Sequence, residues 1–185
     1  MSTDIVVRKG FNLKLVGEAL RETETPKETQ DFSLYPSDFH GVFPKLIVKE
    51  NDVVKAGDII FYDKNSEKVK FVSPVSGKID KIVRGERRKV LEISIKSDSK
   101  SSYRQLDKIS DTSATKIIDF LLDSGLWSFI KQRPYDIIAD PNSLPKEIFI
   151  SAFDSSPLSA DYDFITADYK KNILTAIDYL RKLTS

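Results

Sequence analysis

Val54-Lys55-Ala56-Gly57-Asp58 and, a short way on, Ser73-Pro74-Val75-Ser76-Gly77-Lys78-Ile79 decide how this chain folds. Gly57 and Asp58 stand between two apolar runs, Val53-Val54 and Ile59-Ile60-Phe61, which is turn chemistry joining two strands. From Lys68 to Ser73 the residues alternate, Val69 and Phe71 against Lys68 and Lys70, as a half-buried strand requires. Pro74 ends that strand because it has no N–H for a ladder bond. Gly77 is assigned to a sharp reversal, where the lack of a Cβ makes a positive φ cheap, and a new strand opens at Lys78. Further on, Leu91, Ile93 and Ile95 are expected inward, with Glu92, Ser94 and Lys96 outward. Short strands separated by frequent turn signals describe a small sandwich or barrel.

Working outward, Ile5 to Val16 reads as a strand pair around Gly10, and Gly17 to Asp31 as an acidic loop containing Pro26. The β-rich block runs from about Phe39 to Lys96. Ser97 to Ser113 holds six serines and little apolar content, and reads as a linker. The period then changes: Ala114, Ile117, Ile118, Leu121 and Leu122 mark one face of a helix, with Asp111, Thr112 and Ser113 to cap it and Gly125 to end it. Ile148 to Phe153 is expected as a buried strand, and Tyr169, Ile173, Ala176, Ile177 and Leu180 as a second amphipathic helix. The expected organisation is a multi-domain α+β chain. A β domain over residues 1–97 leads through a linker at 98–113 to a partial α/β domain at 114–185. Two helices and one strand cannot cover both faces of a sheet, so the chain is expected to be the N-terminal part of a longer protein.

At 185 residues, 40% hydrophobic and 31% charged, the composition is that of an ordinary globular protein. A formal net charge of +1 gives no long-range field toward nucleic acid or anionic lipid. With no cysteine and a single histidine, disulfides, cysteine-held clusters, thiolate zinc sites and His-rich metal sites are excluded. No apolar run approaches the roughly 18 residues that a bilayer demands, nor does the N-terminus resemble a signal peptide. The protein is therefore expected in the cytoplasm or facing it.

The two opening phrases resemble the core of lipoyl and biotinyl domains, which implies a barrel-sandwich hybrid for the β block. In those domains an acceptor lysine sits at a hairpin tip. The same spacing counted back from Gly77 reaches Ser66, with Lys64 and Lys68 to either side, so a fold without its prosthetic group is expected. The phrases GVFPKLIVKENDVVKAGDIIFYDKN, VKFVSPVSGKI, RGERRKVLEI, DSGLWSFIKQRPYD and IFISAFDSSPL, in that order, are similar to the A subunit of the sodium-translocating NADH:quinone oxidoreductase.

That resemblance implies a peripheral, cofactor-free subunit on the cytoplasmic side of a bacterial inner-membrane complex, linked to quinone binding and assembly. NADH, FMN, riboflavin and iron–sulfur centres would be held by other subunits, which become the expected partners. The nearest alternative is the C subunit of the Rnf-type ferredoxin:NAD oxidoreductase, which follows a similar barrel with a glycine-rich phosphate loop. Ser124-Gly125-Leu126-Trp127-Ser128-Phe129-Ile130 has one glycine and two bulky aromatics there, which argues against a nucleotide phosphate. A free-standing barrel-sandwich interaction module is the remaining alternative.

Trp127, Phe129, Arg133, Pro134 and Tyr135 combine aromatic planes with a fixed cation, which suits a quinone ring or a partner subunit. The bland alternative places the aromatics in the core. Arg84, Arg87 and Arg88, with Lys89, form a basic tip able to meet an acidic partner, though such runs are usually solvated; it is too short and too poor in aromatics for nucleic acid. His40 has no serine or carboxylate to form a triad with, so no catalytic residue is assigned. Asp154, Ser155 and Ser156 follow the expected strand, at the end where α/β sheets bind ligands, but serve equally as a helix cap.

Overall fold

The computed structural model describes residues 6, 9–10, 16–17, 20–25, 27–109, 111–154, 156 and 158–184. The strand pair expected over Ile5 to Val16 falls for most of its length outside that set. Seven strands build the N-terminal unit: β1 (Asp31–Leu34), β2 (Pro44–Leu46), β3 (Val53–Val54), β4 (Ile59–Asp63), β5 (Ser66–Val72), β6 (Gly77–Arg84) and β7 (Val90–Ser97). They form one sheet in the order β1-β7-β6-β3 and another in the order β2-β4-β5, antiparallel throughout. Val54, Ile60, Phe61, Val69, Phe71, Ile79, Ile93 and Ile95 from both sheets share one core. Phe61 stacks on Phe71 with centroids 4.4 Å apart, and Phe39 meets the same ring edge-on at 4.5 Å.

The two opening phrases are bonded to each other. Gly57 N–H donates to Ser73 O at 2.8 Å, and Ser73 N–H returns to Asp58 O at 2.8 Å. Asp58 Oδ2 closes its own turn by accepting from Lys55 N–H at 2.7 Å, while Gly57 takes φ +89°, which its missing Cβ permits. An equivalent turn lies just upstream: Asp52 Oδ2 accepts from Lys49 N–H, and the turn pairs with Ile79 through Asn51 N–H and Asp52 O.

Local expectations fail where tertiary geometry takes over. Gly77 is the first residue of β6 rather than the apex of a turn; a Cβ there would collide with the Lys96 carbonyl oxygen of β7. Leu91 is 43% exposed while Val90 is buried, because a register shift between Val83 and Arg84 breaks the alternation of β7. β1, which begins at the last residue of the expected loop and lies before the expected β-rich block, pairs with β7. The β4–β5 turn is Lys64-Asn65, and Ser66 instead opens β5 opposite Asp63. A register shift between Tyr62 and Asp63 takes up the residues that spacing from Gly77 could not foresee.

Residues 98–109 do not leave the barrel freely. Ser76, 3% exposed, donates from Oγ to Asp98 Oδ1 at 2.7 Å and accepts from Ser102 N–H at 3.0 Å. Ala56 then donates to Ser102 O and accepts from Arg104 N–H, a parallel bridge across the barrel. Helix α1 (Ala114–Asp123) packs on β5 through the face read from its period, and Ile117 and Leu122 are buried. Ser113 stands at its N-cap without capping by its side chain; its hydroxyl donates to Asp111 instead.

Beyond a two-stranded hairpin, β8 (Lys131–Gln132) with β9 (Ile137–Ile138), come α2 (Tyr162–Ile165) and α3 (Lys170–Arg181). The expected buried strand at Ile148 to Phe153 is absent among the described residues: the segment forms no ladder, Phe149 is 89% exposed and Phe153 79%. Its apolar side chains have no second layer against them, which a buried strand needs.

Candidate functional site

The end of α1 is clasped to the barrel by Asp123. Its Oδ1 accepts from Lys70 Nζ of β5 at 2.8 Å, its Oδ2 from Arg104 Nη2 at 2.6 Å, and its carbonyl from Arg104 Nη1 at 3.0 Å. The hydrogen bond from Lys70, reinforced by both cations, holds the Asp123 carboxyl below the ordinary carboxylate value. Gly125 follows in the left-handed region at φ +78°, where a Cβ would press on Val72 Cγ1 at 2.9 Å, so the chain turns hard over β5.

The turn Leu126–Phe129 then drives Trp127 inward. Its ring is 3% exposed and its Nε1–H donates to Ala139 O at 2.8 Å. Ser128, also buried, donates to Gly125 O at 2.8 Å, and Ala139 N–H donates to Ile130 O at 2.9 Å. These bonds root the β8–β9 hairpin and leave its outer surface to solvent. Phe129 is 75% and Tyr135 71% exposed, and Arg133 meets, among the described residues, only Asp136 Oδ1, at 3.8 Å, with both side chains largely in water.

The hairpin leans on the barrel. Lys131 Nζ sits 6.0 Å from the centroid of the Phe39 ring, and a Cβ on Gly41 would lie 3.7 Å from Ile137 Cγ2. Two distant stretches of sequence thus meet in one ledge: the hairpin with exposed Arg133, Pro134 and Tyr135, preceded by exposed Phe129, and the barrel turn with exposed His40 and Phe43. Aromatic faces can stack on a planar ring, and the cations can donate charge-assisted hydrogen bonds to a carbonyl or carboxylate.

Of the five hairpin residues singled out in the sequence, Trp127 does not reach this surface; it is the root of the hairpin. Phe43 belongs to the ledge and was not legible, since only the tertiary contact of Lys131, a cation of the same segment, with Phe39 brings the barrel turn there. Arg84, Arg87 and Arg88 lie exposed at the β6–β7 turn, Arg87 and Arg88 at φ +52° and +60°, with Arg84 Nη1 donating to Arg88 O at 3.3 Å. Ser156 holds the exposed Asp154 carboxyl below its ordinary value, by its hydroxyl first and then by its N–H, in a local turn; Ser155 lies outside the described residues. A second feature went unread: an apolar pocket of about 560 Å³ between Leu106, Ile109, Phe120 and Leu121 on one side and Ala176 and Tyr179 on the other. Among the described residues no cluster of three or more His, Asp or Glu could hold a metal, and no helix is long and apolar enough to cross a membrane.

The fold has known counterparts. The profile of the NqrA N-terminal barrel-sandwich hybrid domain matches residues 5–98, and that of the NqrA second alpha/beta domain matches residues 112–185. The chain is 33% identical over 182 residues to the Na(+)-translocating NADH-quinone reductase A subunit of Marinomonas sp. (strain MWYL1), covering 96% of this chain and 41% of that protein. It is 34% identical over 185 residues to the counterpart from Saccharophagus degradans, and 31% over 183 residues to that of Pseudomonas aeruginosa PAO1; each alignment covers 97% of this chain and 41% of the relative. The chain thus spans 41% of the length of these relatives and belongs to the NqrA family, with its barrel-sandwich hybrid domain followed by its second alpha/beta domain.

Proposed function

We propose that this chain acts in a sodium-translocating NADH-quinone reductase as a cofactor-free part of its NqrA component, peripheral to the membrane on its cytoplasmic side. It makes and breaks no bonds itself; NADH, flavins and iron–sulfur centres are held by other subunits. Its task is to dock onto those subunits and to contribute contacts to the quinone site. The division into a barrel at 1–97, a connecting segment at 98–113 and an α/β part at 114–185 belongs to this reading.

The observation that carries it is the ledge. Three large aromatic rings stand in water on a hairpin and turn anchored from below, where Trp127 is buried and bonded. Exposed aromatic rings on a surface anchored from below are suited to stacking on a planar ring. A quinone lying against Phe129 or Tyr135 would bring its carbonyl oxygens within reach of Arg133. Asp136 engages that arginine only at 3.8 Å, so its donors are free to turn. The tip at Arg84, Arg87 and Arg88 would meet an acidic patch on a neighbouring subunit.

The test is Arg133→Ala within the assembled complex, with quinone titration and subunit retention measured together. Loss of one charge-assisted hydrogen bond, roughly 1.5 to 3 kcal/mol, corresponds to about a ten- to hundredfold weaker apparent quinone affinity. Arg133→Lys should recover part of it, since the charge stays and the planar fork is lost. Unaltered quinone dependence in both variants would remove the hairpin from the site.

A further inference from the structure

Trp127 faces away from the surface that its neighbours present. Its indole lies in one core with Ile117 and Leu122, and its Nε1–H donates to Ala139 O at 2.8 Å. Ala139 directly follows β9, so this bond ties the segment entering the hairpin to the segment leaving it. Ala139 N–H donates in turn to Ile130 O at 2.9 Å, and both hydrogen-bonding groups of that peptide are held. The other supports of the hairpin, Lys131 near Phe39 at 6.0 Å and Ile137 beside Gly41, lack the directionality of a short hydrogen bond. Arg133 has no such support of its own. It follows β8 directly, its side chain is 80% exposed, and its one ion pair among the described residues, to Asp136, is 3.8 Å long. A guanidinium held so loosely takes its aim from the backbone that carries it, and the aim of that backbone is set at the root.

We infer that Trp127 is a positioning residue for the quinone contact: its N–H···O=C bond to Ala139 sets the attitude of the β8–β9 hairpin over the barrel, and with it the place of Arg133. The inference rests on the quinone reading above and adds to it a residue that touches no ligand. Trp127 carries two separable properties. Its ring fills core volume, which another aromatic ring would largely replace. Its N–H joins the two ends of the hairpin and no barrel strand, so losing that donor while keeping a ring disturbs the hairpin before the barrel. The Ala139 carbonyl, deprived of its donor, must then turn to find another, and the hairpin turns with it.

Trp127→Phe in the assembled complex, assayed with a short-chain benzoquinone beside Arg133→Ala and the double variant, tests it. Apparent KM should rise about three- to tenfold in Trp127→Phe, as for a displaced contact, with kcat and subunit retention near those of the parent. Because Trp127 acts through Arg133, adding Trp127→Phe to Arg133→Ala should raise KM by less than about twofold more. Hydrogen exchange over residues 130–139 should quicken about tenfold, with Ile93 and Ile95 as protected as before. Effects that multiply in the double variant, or a fall in kcat at unchanged KM, would make Trp127 structural and overturn the inference while the quinone reading stands. An effect of Arg133→Ala without one of Trp127→Phe overturns it in the same way. No effect of Arg133→Ala removes the quinone reading and the inference with it. Should Trp127→Phe not be retained in the complex, Lys131→Met loosens the hairpin from its exposed side at Phe39. A rise in KM that disappears in the Arg133→Ala background then supports the inference, and a KM equal to the parent's overturns it.

Discussion

The barrel and the segment from Leu144 to Leu174 use the same kinds of side chain to opposite ends. In the barrel, Ile60, Phe61, Ile79 and Ile93 are wholly buried; in the later segment Phe149, Ile150, Phe153, Leu158 and Leu174 are all more than half exposed. The difference is one of closure. The barrel's strands are joined by short turns that return each apolar face to the same core, so its burial is complete within the residues at hand. The later segment meets α3 along one groove, and among the described residues most of its large apolar side chains stay exposed. Apolar content alone does not say where a core is; neighbours within reach do.

The first way to break this comparison is to delete a ring from each region. Phe61→Ala removes a fully buried ring stacked on Phe71, and should lower unfolding free energy by about 3 to 5 kcal/mol in a denaturant titration. A loss below about 1 kcal/mol would mean that the barrel core is loosely packed, and the contrast would fail.

The next concerns the edge of the barrel. A chain ending at Ser99 loses the bonds from Ser102 to Ser76 and Ala56 and from Arg104 to Ala56; one ending at Ile109 keeps them. We expect the shorter form to be less stable by about 2 kcal/mol, since each bond contributes roughly 0.5 to 1.5 kcal/mol and ordering the segment offsets part of that. Equal midpoints in urea would show that residues 98–104 merely lie on the barrel.

These outcomes bear on what could be read without a structure. Alternation at Val69 and Phe71 and the Gly57-Asp58 turn are local signals, and they located the barrel. The helix face from Ala114 to Leu122 was legible for the same reason. The exposure of Leu91, the close approach at Gly77 and the place of Lys64 in the hairpin turn depend on register between strands, which no single strand encodes. At the candidate site the hairpin was visible as a cluster of aromatics and cations. The direction of Trp127 and the meeting of Lys131 with Phe39 were not, because each depends on a neighbour distant in sequence. The bonds that Ser102 and Arg104 make to the barrel were invisible for a related reason: a serine-rich stretch signals a linker whether or not its backbone finds partners.

A smaller effect is expected where α1 meets the barrel. Asp123→Ala leaves Lys70 and Arg104 without their carboxylate, but the Asp123 side chain is 40% exposed and water would replace much of the loss, so about 1 to 2 kcal/mol is anticipated. The pH dependence has a defined sign. A carboxyl held low in the folded state stabilises it above the unfolded value, near 4, and that contribution fades as pH falls through the folded value. Stability should therefore decline more steeply below about pH 4 in the parent chain than in Asp123→Asn. Parallel profiles would show that the clasp contributes nothing beyond proximity.

The smallest effect should come from the ring that most resembles Phe61 in chemistry and least in surroundings. Phe149 is 89% exposed, so Phe149→Ala takes almost no apolar surface out of a buried environment and leaves no cavity. A surface substitution of this kind should change unfolding free energy by no more than about 0.5 kcal/mol, in either direction. Removing a ring from water could even raise solubility, because an exposed apolar cluster favours association. A loss of about 2 kcal/mol or more would carry the signature of a buried aromatic. It would show that Ile148 to Phe153 is already packed in the chain as it stands, and that the two regions differ in exposure less than their geometry implies.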